Sequence, residues 1–150
     1  MIVVISGHDK SYEPLAEWTL HKNKKHYCDK HGSKLHYAND CGASIAGKPM
    51  MAAPRPPIPD THIPMGWGKI FLIKEAMTHY PEATWFFNTD CDVMITNMER
   101  KLEDIIKENA QENTHILIPA DANGINCGNM LIRNTQIGKA FLNTIISGMP

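Results

Sequence analysis

Apolar residues in this chain fall into short unbroken runs, separated by longer stretches in which they recur every three or four positions. Ile2-Val3-Val4-Ile5 is a continuous β-branched run, which predicts a central strand buried on both faces. Ser6-Gly7-His8-Asp9 turns the chain, and a helix is expected over about 13–30. Its apolar face is thin: Ala16, Leu20 and Tyr27 share a side and Trp18 lies off it, with Gly32 placed as the stop. Residues 34–38, KLHYA, alternate as a second strand. Trp67, Ile70, Ile73, Met77 and Tyr80 mark the clearest helix, which Pro81 ends. Trp85-Phe86-Phe87 opens another buried strand. Thr96 and Glu99 have the spacing of a capping box, predicting a helix to about Asn109 with Met98, Leu102, Ile105 and Ile106 inward. His115 to Pro119 reads as a buried strand and 121–128 as a loop of turn formers. Residues 129–133 read as a strand, and 135–146 as a helix with Ile137, Phe141 and Ile145 on one side.

Strands alternating with helices predict a single α/β domain over 1–150 with a mainly parallel sheet, and place a ligand crevice at the carboxyl ends of its strands. The stretch Asn39–Met65 breaks the pattern. It holds six of the ten prolines, a density that forbids a long helix or a central strand. A functional insertion and a plain surface excursion both fit it.

Composition narrows the class. Apolar residues make up 43% and charged residues 21%, a globular rather than a disordered balance. The formal charge of −1 gives no support to nucleic-acid or acidic-membrane binding. The basic run His21-Lys22-Asn23-Lys24-Lys25-His26 is short and fits a solvated helix face. Four scattered cysteines without a CxxC pair make neither a disulfide framework nor a zinc ribbon, and read as reduced thiols or small packing residues. No run reaches the roughly 20 apolar residues of a membrane span, and the first residues enter IVVIS without a basic region or cleavage site. Two expectations follow: a soluble, cytoplasmic chain, or a targeting segment that lies outside these residues.

One motif carries chemistry. In TWFFNTDCDVMITN, residues 84–97, an apolar strand runs into Asp90-Cys91-Asp92 before Val93, Met94 and Ile95 restore apolar character. Carboxylates inside an apolar run are costly to bury unless something pairs with them. In extended chain Asp90 and Asp92 point to one side, and two hard oxygen ligands facing one way suit Mg²⁺ or Mn²⁺ better than Zn²⁺. The same triplet also commonly ends a strand in a turn. Asp90, Asp92 and the 121–128 loop all fall at strand ends, which brings them to one predicted site.

Several blocks together resemble a known family. Asn23-Lys24 through Tyr27-Cys28 and His31-Gly32 come first, then Trp67-Gly68-Lys69, then Pro81-Glu82 with Trp85 and Asp90-Cys91-Asp92. Asn123-Gly124-Ile125-Asn126-Cys127-Gly128 and Leu131-Ile132-Arg133-Asn134 follow. In this order and spacing, from Asn23 onward, they are similar to glycosyltransferase family 34, the galactosyl-, xylosyl- and mannosyltransferases. The resemblance implies a Rossmann-like GT-A fold and transfer of a hexose or pentose from a UDP-sugar or GDP-sugar to a glycan acceptor, with retention. It implies Mn²⁺ or Mg²⁺ held against the donor diphosphate, with Asp92 as direct ligand and Asp90 on the ribose or the metal shell. It further implies Asn126 at the sugar or acceptor, Asp121 as acceptor for a sugar hydroxyl, and Ser6 and Gly7 near the nucleotide base. Lys69 either reaches the donor or is an ordinary charged helix residue.

Two departures from the family pattern are small, since Cys91 and Cys127 stand where other compact residues are usual. A third is larger. The family continues past the point matching Gly148-Met149-Pro150, and that part brings a His as third metal ligand and much of the acceptor site. His79 and His115 read as ordinary helix and strand residues and do not replace it. A truncated domain that binds donor without catalysis, and a GT-A transferase of another family, therefore stand as alternatives. Family members are expected at the Golgi membrane, in contrast to the soluble character of these residues.

Overall fold

The computed structural model describes residues 1–39, 50–51 and 63–148. Most of the proline-rich stretch expected as an insertion lies outside the described residues. Strand β1 (Ile2–Gly7) leads through a 3-10 turn at Lys10–Tyr12 into a continuous helical run. That run is α1 (Glu13–Ala16), a π-helical stretch (Glu17–Lys24) and α2 (Lys25–His31). It ends at Gly32, whose φ of 68° is the left-handed conformation that favours glycine. Then come β2 (Lys34–Ala38), the short β3 (Met50–Met51) and β4 (Ile63–Pro64), α3 (Gly68–His79) and β5 (Trp85–Thr89). The chain continues with α4 (Leu102–Asn109), β6 (Ile116–Leu117), β7 (Ala120–Asp121), β8 (Gly124–Ile125), β9 (Asn129–Arg133) and α5 (Gln136–Ser147).

The main sheet has the order β2-β1-β5-β9-β6. β1 pairs in parallel with β2 and β5, whereas β9 runs antiparallel to both β5 and β6, so four of the five strands share one direction. Both faces are apolar because both are covered. On one face Val3, Ile5, Phe86 and Ile132 pack against Ile70, Ile73 and Met77 of α3 and Leu142 of α5. On the other, Ile2, Val4, Trp85 and Leu131 meet Tyr27 and Cys28 of α2 and Leu102 of α4. The period-two alternation of each strand thus divides its residues between two cores.

Four expectations are corrected. Residues 96–101 are not helical: α4 begins at Leu102, and the Oδ1 of Asn97 instead accepts the backbone N–H groups of Glu99 and Arg100. The capping box fails because the main chain of this segment is bonded to the distant α2. The strand expected at 115–119 shortens to a half-buried edge pair, β6, and 121–128 contains the β7–β8 hairpin. Ile137 is exposed, whereas Phe141 and Ile145 pack against the core beside the buried Gly138 and Leu142 of α5. A Cβ at Gly138 would lie 2.2 Å from the Arg133 carbonyl, so this close approach of helix to strand requires glycine. Finally, the basic run is not wholly solvated, since Asn23 and Lys24 are buried.

Candidate functional site

β1 and β5 are parallel neighbours, so their carboxyl ends open at the same edge of the sheet. There, a cavity of about 210 Å³ lies between Gly7, His8 and Asp9 beyond β1, the end of β5 with its acidic triplet, and Lys69 in the first turn of α3.

The triplet is not extended. β5 stops at Thr89, and the Val93 N–H donates to the Asp90 carbonyl at 3.1 Å, closing a turn over 90–93. Strand alternation therefore does not set the direction of the two acids, yet both Asp90 and Asp92 line the cavity. Asp90 is half-buried and Asp92 exposed. Cys91 goes the other way, packing against Ala16 and Leu20 with its Sγ 3.8 Å from Thr19 Oγ1. The turn thus buries the thiol and leaves the acids at the cavity, avoiding the cost of two buried charges.

Lys69 bridges two elements. Its Nζ donates to Asp90 Oδ1 at 2.6 Å and to the Cys127 carbonyl at 3.3 Å. The Asp90 N–H donates in turn to the Gly128 carbonyl at 2.8 Å. Beyond Gly128 lies the loop expected to carry sugar contacts. Asn126 Oδ1 accepts the Gly128 N–H and its Nδ2 donates to Asp121 Oδ2, each at 2.8 Å. The backbone N–H of Asn123 and the Asn126 amide hold the Asp121 carboxyl below the ordinary carboxylate value. A Cβ at Gly128 would lie 2.9 Å from Asn126 Oδ1 and 3.4 Å from Asp90 Oδ2, so glycine lets the loop approach Asp90. Asp121, Asn126, Gly128, Asp90 and Lys69 form one hydrogen-bonded chain.

Of the other expected residues, Gly7 lines the cavity, whereas Ser6 is buried beneath it. Ser6 Oγ, His8 Nε2, Asn88 Nδ2 and Thr89 Oγ1 are buried without a partner among the described residues. Buried polar atoms are normally paired, so the ends of β1 and β5 carry spare hydrogen-bonding capacity beside the acidic pair. His8, Asn88 and Thr89 line the cavity and were not singled out from the sequence, although the rule that sites lie at strand ends points to them.

Among the described residues no group of three or more His, Cys, Asp or Glu is placed to hold a metal. Asp90 and Asp92 offer hard oxygens, and Lys69 occupies one oxygen of Asp90. Such a pair fits an Mg²⁺-like ion that retains water and is completed by substrate phosphates, rather than an all-protein cage. His79 and His115 are engaged elsewhere: the His79 ring packs on Tyr80, and His115 Nδ1 lies 3.0 Å from Thr135 Oγ1. Cys28, Cys91 and Cys127 are free thiols, Cys41 lies outside the described residues, and no helix among the described residues is long and apolar enough to cross a membrane.

A sequence profile described as the galactosyl transferase GMA12/MNN10 family matches residues 1–110. An uncharacterized alpha-1,2-galactosyltransferase of Schizosaccharomyces pombe is 27% identical over 94% of this chain and 44% of its own length. A second alpha-1,2-galactosyltransferase of that yeast is 23% identical over 84% of this chain and 38% of its own. Galactomannan galactosyltransferase 1 of Cyamopsis tetragonoloba is 27% identical over 100% of this chain and 32% of its own. The chain thus spans less than half the length of these relatives. Among solved structures, a glycosyltransferase involved in glycosylation of the major capsid of PBCV-1 superposes with a TM-score of 0.68 at 18% identity, over 97% of this chain and 65% of that one. That likeness bears on the fold, which is the GT-A-like α/β arrangement expected.

Proposed function

The chain belongs to the galactosyl transferase GMA12/MNN10 family, and from that premise we propose that it forms the donor-binding part of a metal-dependent glycosyltransferase. The reaction moves galactose, xylose or mannose from a UDP-sugar or GDP-sugar to a glycan acceptor with retention. One observation carries this reading: the acidic pair lines a cavity at the carboxyl ends of β1 and β5 and is tied through Lys69 and Gly128 to the Asp121–Asn126 loop.

In this reading Asp90 and Asp92 hold Mn²⁺ or Mg²⁺. The ion supplies positive charge that offsets the negative charge developing on the leaving diphosphate. Lys69 fixes Asp90 by its ion pair and keeps a cation beside the diphosphate site. Asn126 presents its amide toward sugar or acceptor, and Asp121 orients that amide through its own bond to it. Gly7 leaves room for the nucleotide where β1 ends, with His8 lining the cavity near the base and Ser6 buried next to them in the chain.

Calorimetric titration of UDP- and GDP-sugars with and without Mn²⁺ tests the proposal. Binding that requires Mn²⁺ and is lost in Asp92→Ala is expected. Failure of every sugar nucleotide to bind would sink it. Mn²⁺-dependent binding without turnover would assign this chain donor binding alone.

A further inference from the structure

Lys24 is a wholly buried lysine that donates to three main-chain carbonyls. Its Nζ lies 3.3 Å from the oxygen of Thr19, 3.3 Å from that of Cys91 and 2.6 Å from that of Val93. The last two flank Asp92. The adjacent Asn23 clasps Ile95, two residues further along the same loop, its Nδ2 donating to the Ile95 carbonyl at 2.9 Å and its Oδ1 accepting the Ile95 N–H at 2.8 Å. Neighbours on an ordinary helix point about 100° apart at 3.6 residues per turn. The wider π-helical turn over Glu17–Lys24 narrows that angle, so both side chains reach one loop.

The arrangement costs stability that an apolar residue would not. A buried ammonium ordinarily pairs with a carboxylate, yet among the described residues this one donates to carbonyls. Burial pushes the amine down to about 8, while the charges of Cys91, Asp92 and Asp90 pull the other way. Holding the loop alone needs no charge, since Asn23 does so with a neutral amide. The three-donor ammonium instead spans carbonyls on both sides of Asp92, which one neutral amide does not do.

We propose that Lys24 is a positioning residue for the acidic pair. By fixing the carbonyls on both sides of Asp92 it orients the Asp92 carboxylate into the cavity. The inference rests on the metal and donor reading given above.

The test measures Mn²⁺ affinity in the presence of UDP, by the electron paramagnetic resonance signal of free Mn²⁺. It compares the wild-type chain with K24M, K24Q, K24R and, as a matched surface change, K22M. Amide exchange of residues 91–95 is followed in parallel. K24M and K24Q are expected to melt cooperatively, to exchange faster at 91–95 and to bind Mn²⁺ about tenfold more weakly, as is typical for residues that orient a metal ligand. K24R recovers part of the loss, and K22M binds as wild type. Wild-type Mn²⁺ affinity in K24M or K24Q would overturn the proposal. So would unfolding of both, which would make Lys24 a residue of the whole fold. If wild type itself binds no Mn²⁺ with UDP, the metal reading fails, and the Lys24 proposal with it, separately from any behaviour of the variants.

Discussion

Replacing Tyr27 by phenylalanine removes a single oxygen and tests how the loop after the acidic pair is held. The Tyr27 side chain is 2% exposed. Its hydroxyl donates to the Arg100 carbonyl at 2.8 Å and accepts the Leu102 N–H at 3.0 Å. Leu102 is the first residue of α4, and Lys101 before it makes no side-chain cap. The hydroxyl therefore satisfies one of the donors that a helix start leaves unpaired. Phenylalanine keeps the ring packed among Ile2, Val4 and Leu131 and leaves the Leu102 N–H buried without a partner. A lost hydrogen bond costs about 1 kcal/mol and an unsatisfied buried group about 1–3 kcal/mol. Arg100 is only half-buried, so water can reach its carbonyl, and the expected total is about 2–3 kcal/mol. For a chain of this size each kcal/mol moves Tm by about 2–4 °C, giving a drop of roughly 5–10 °C. Urea denaturation and thermal melts followed by far-ultraviolet circular dichroism measure both. Thr96→Ala is the contrast: Thr96 is exposed and outside α4, so its loss is expected to cost less than about 0.5 kcal/mol. A Tyr27→Phe cost below about 0.5 kcal/mol, or a Thr96→Ala cost as large as that of Tyr27→Phe, would refute the reasoning.

Two further outcomes follow from buried titratable groups. Burial lowers the pKa of His36 below the ordinary 6.5, against a raising effect from Glu75 and with a further lowering by His79. The unfolded chain then binds more protons than the folded one, so this group's contribution is present above 6.5 and lost as pH falls through its folded-state pKa. Thermal melts at pH 7.5 and 5.5 should show a smaller acid loss in His36→Leu than in wild type; equal losses would count against it. Cys28 is pushed up to about 12 by burial, and Cys91 is also buried and raised, whereas Cys127 is exposed. Among these three, mass spectrometry after brief iodoacetamide treatment should find the label on Cys127, and label on Cys28 at a comparable rate would contradict the packing.

What the sequence displayed was the part of the structure written in local periodicity. β1, α3, β5 and β9 are legible because unbroken apolar runs and a clear helical stripe allow one reading. Gly32 and Pro81 were legible as stops for the same local reason. What stayed hidden depends on contacts far along the chain. The segment 96–101 has a capping-box spacing, but Tyr27 and His31 bond its main chain from α2, the latter through Nε2 and the Met98 carbonyl at 2.8 Å. The acidic triplet was legible as chemistry but not as geometry, since the burial of Cys91 turns the chain where alternation would extend it. Lys24 was hidden by its neighbours in a basic run. One sign of it was present: Ala16, Leu20, Asn23, Lys24 and Tyr27 fall on one helical stripe, so two polar residues sit where the face should be apolar. Asp121 and Asn126 were placed near the site by turn-forming residues and by resemblance, and their join to Asp90 through Gly128 needs the fold to be seen.

In the function proposed above, Asp90 and Asp92 receive a cation together with a nucleoside diphosphate. The direct measurement is anomalous scattering at the manganese edge from crystals of this chain grown with Mn²⁺ and UDP. The expected result is one peak within coordinating distance of both carboxylates and of the diphosphate, inside the cavity bounded by Gly7 and Lys69. Manganese bound elsewhere, or UDP seated away from the acidic pair, would contradict it.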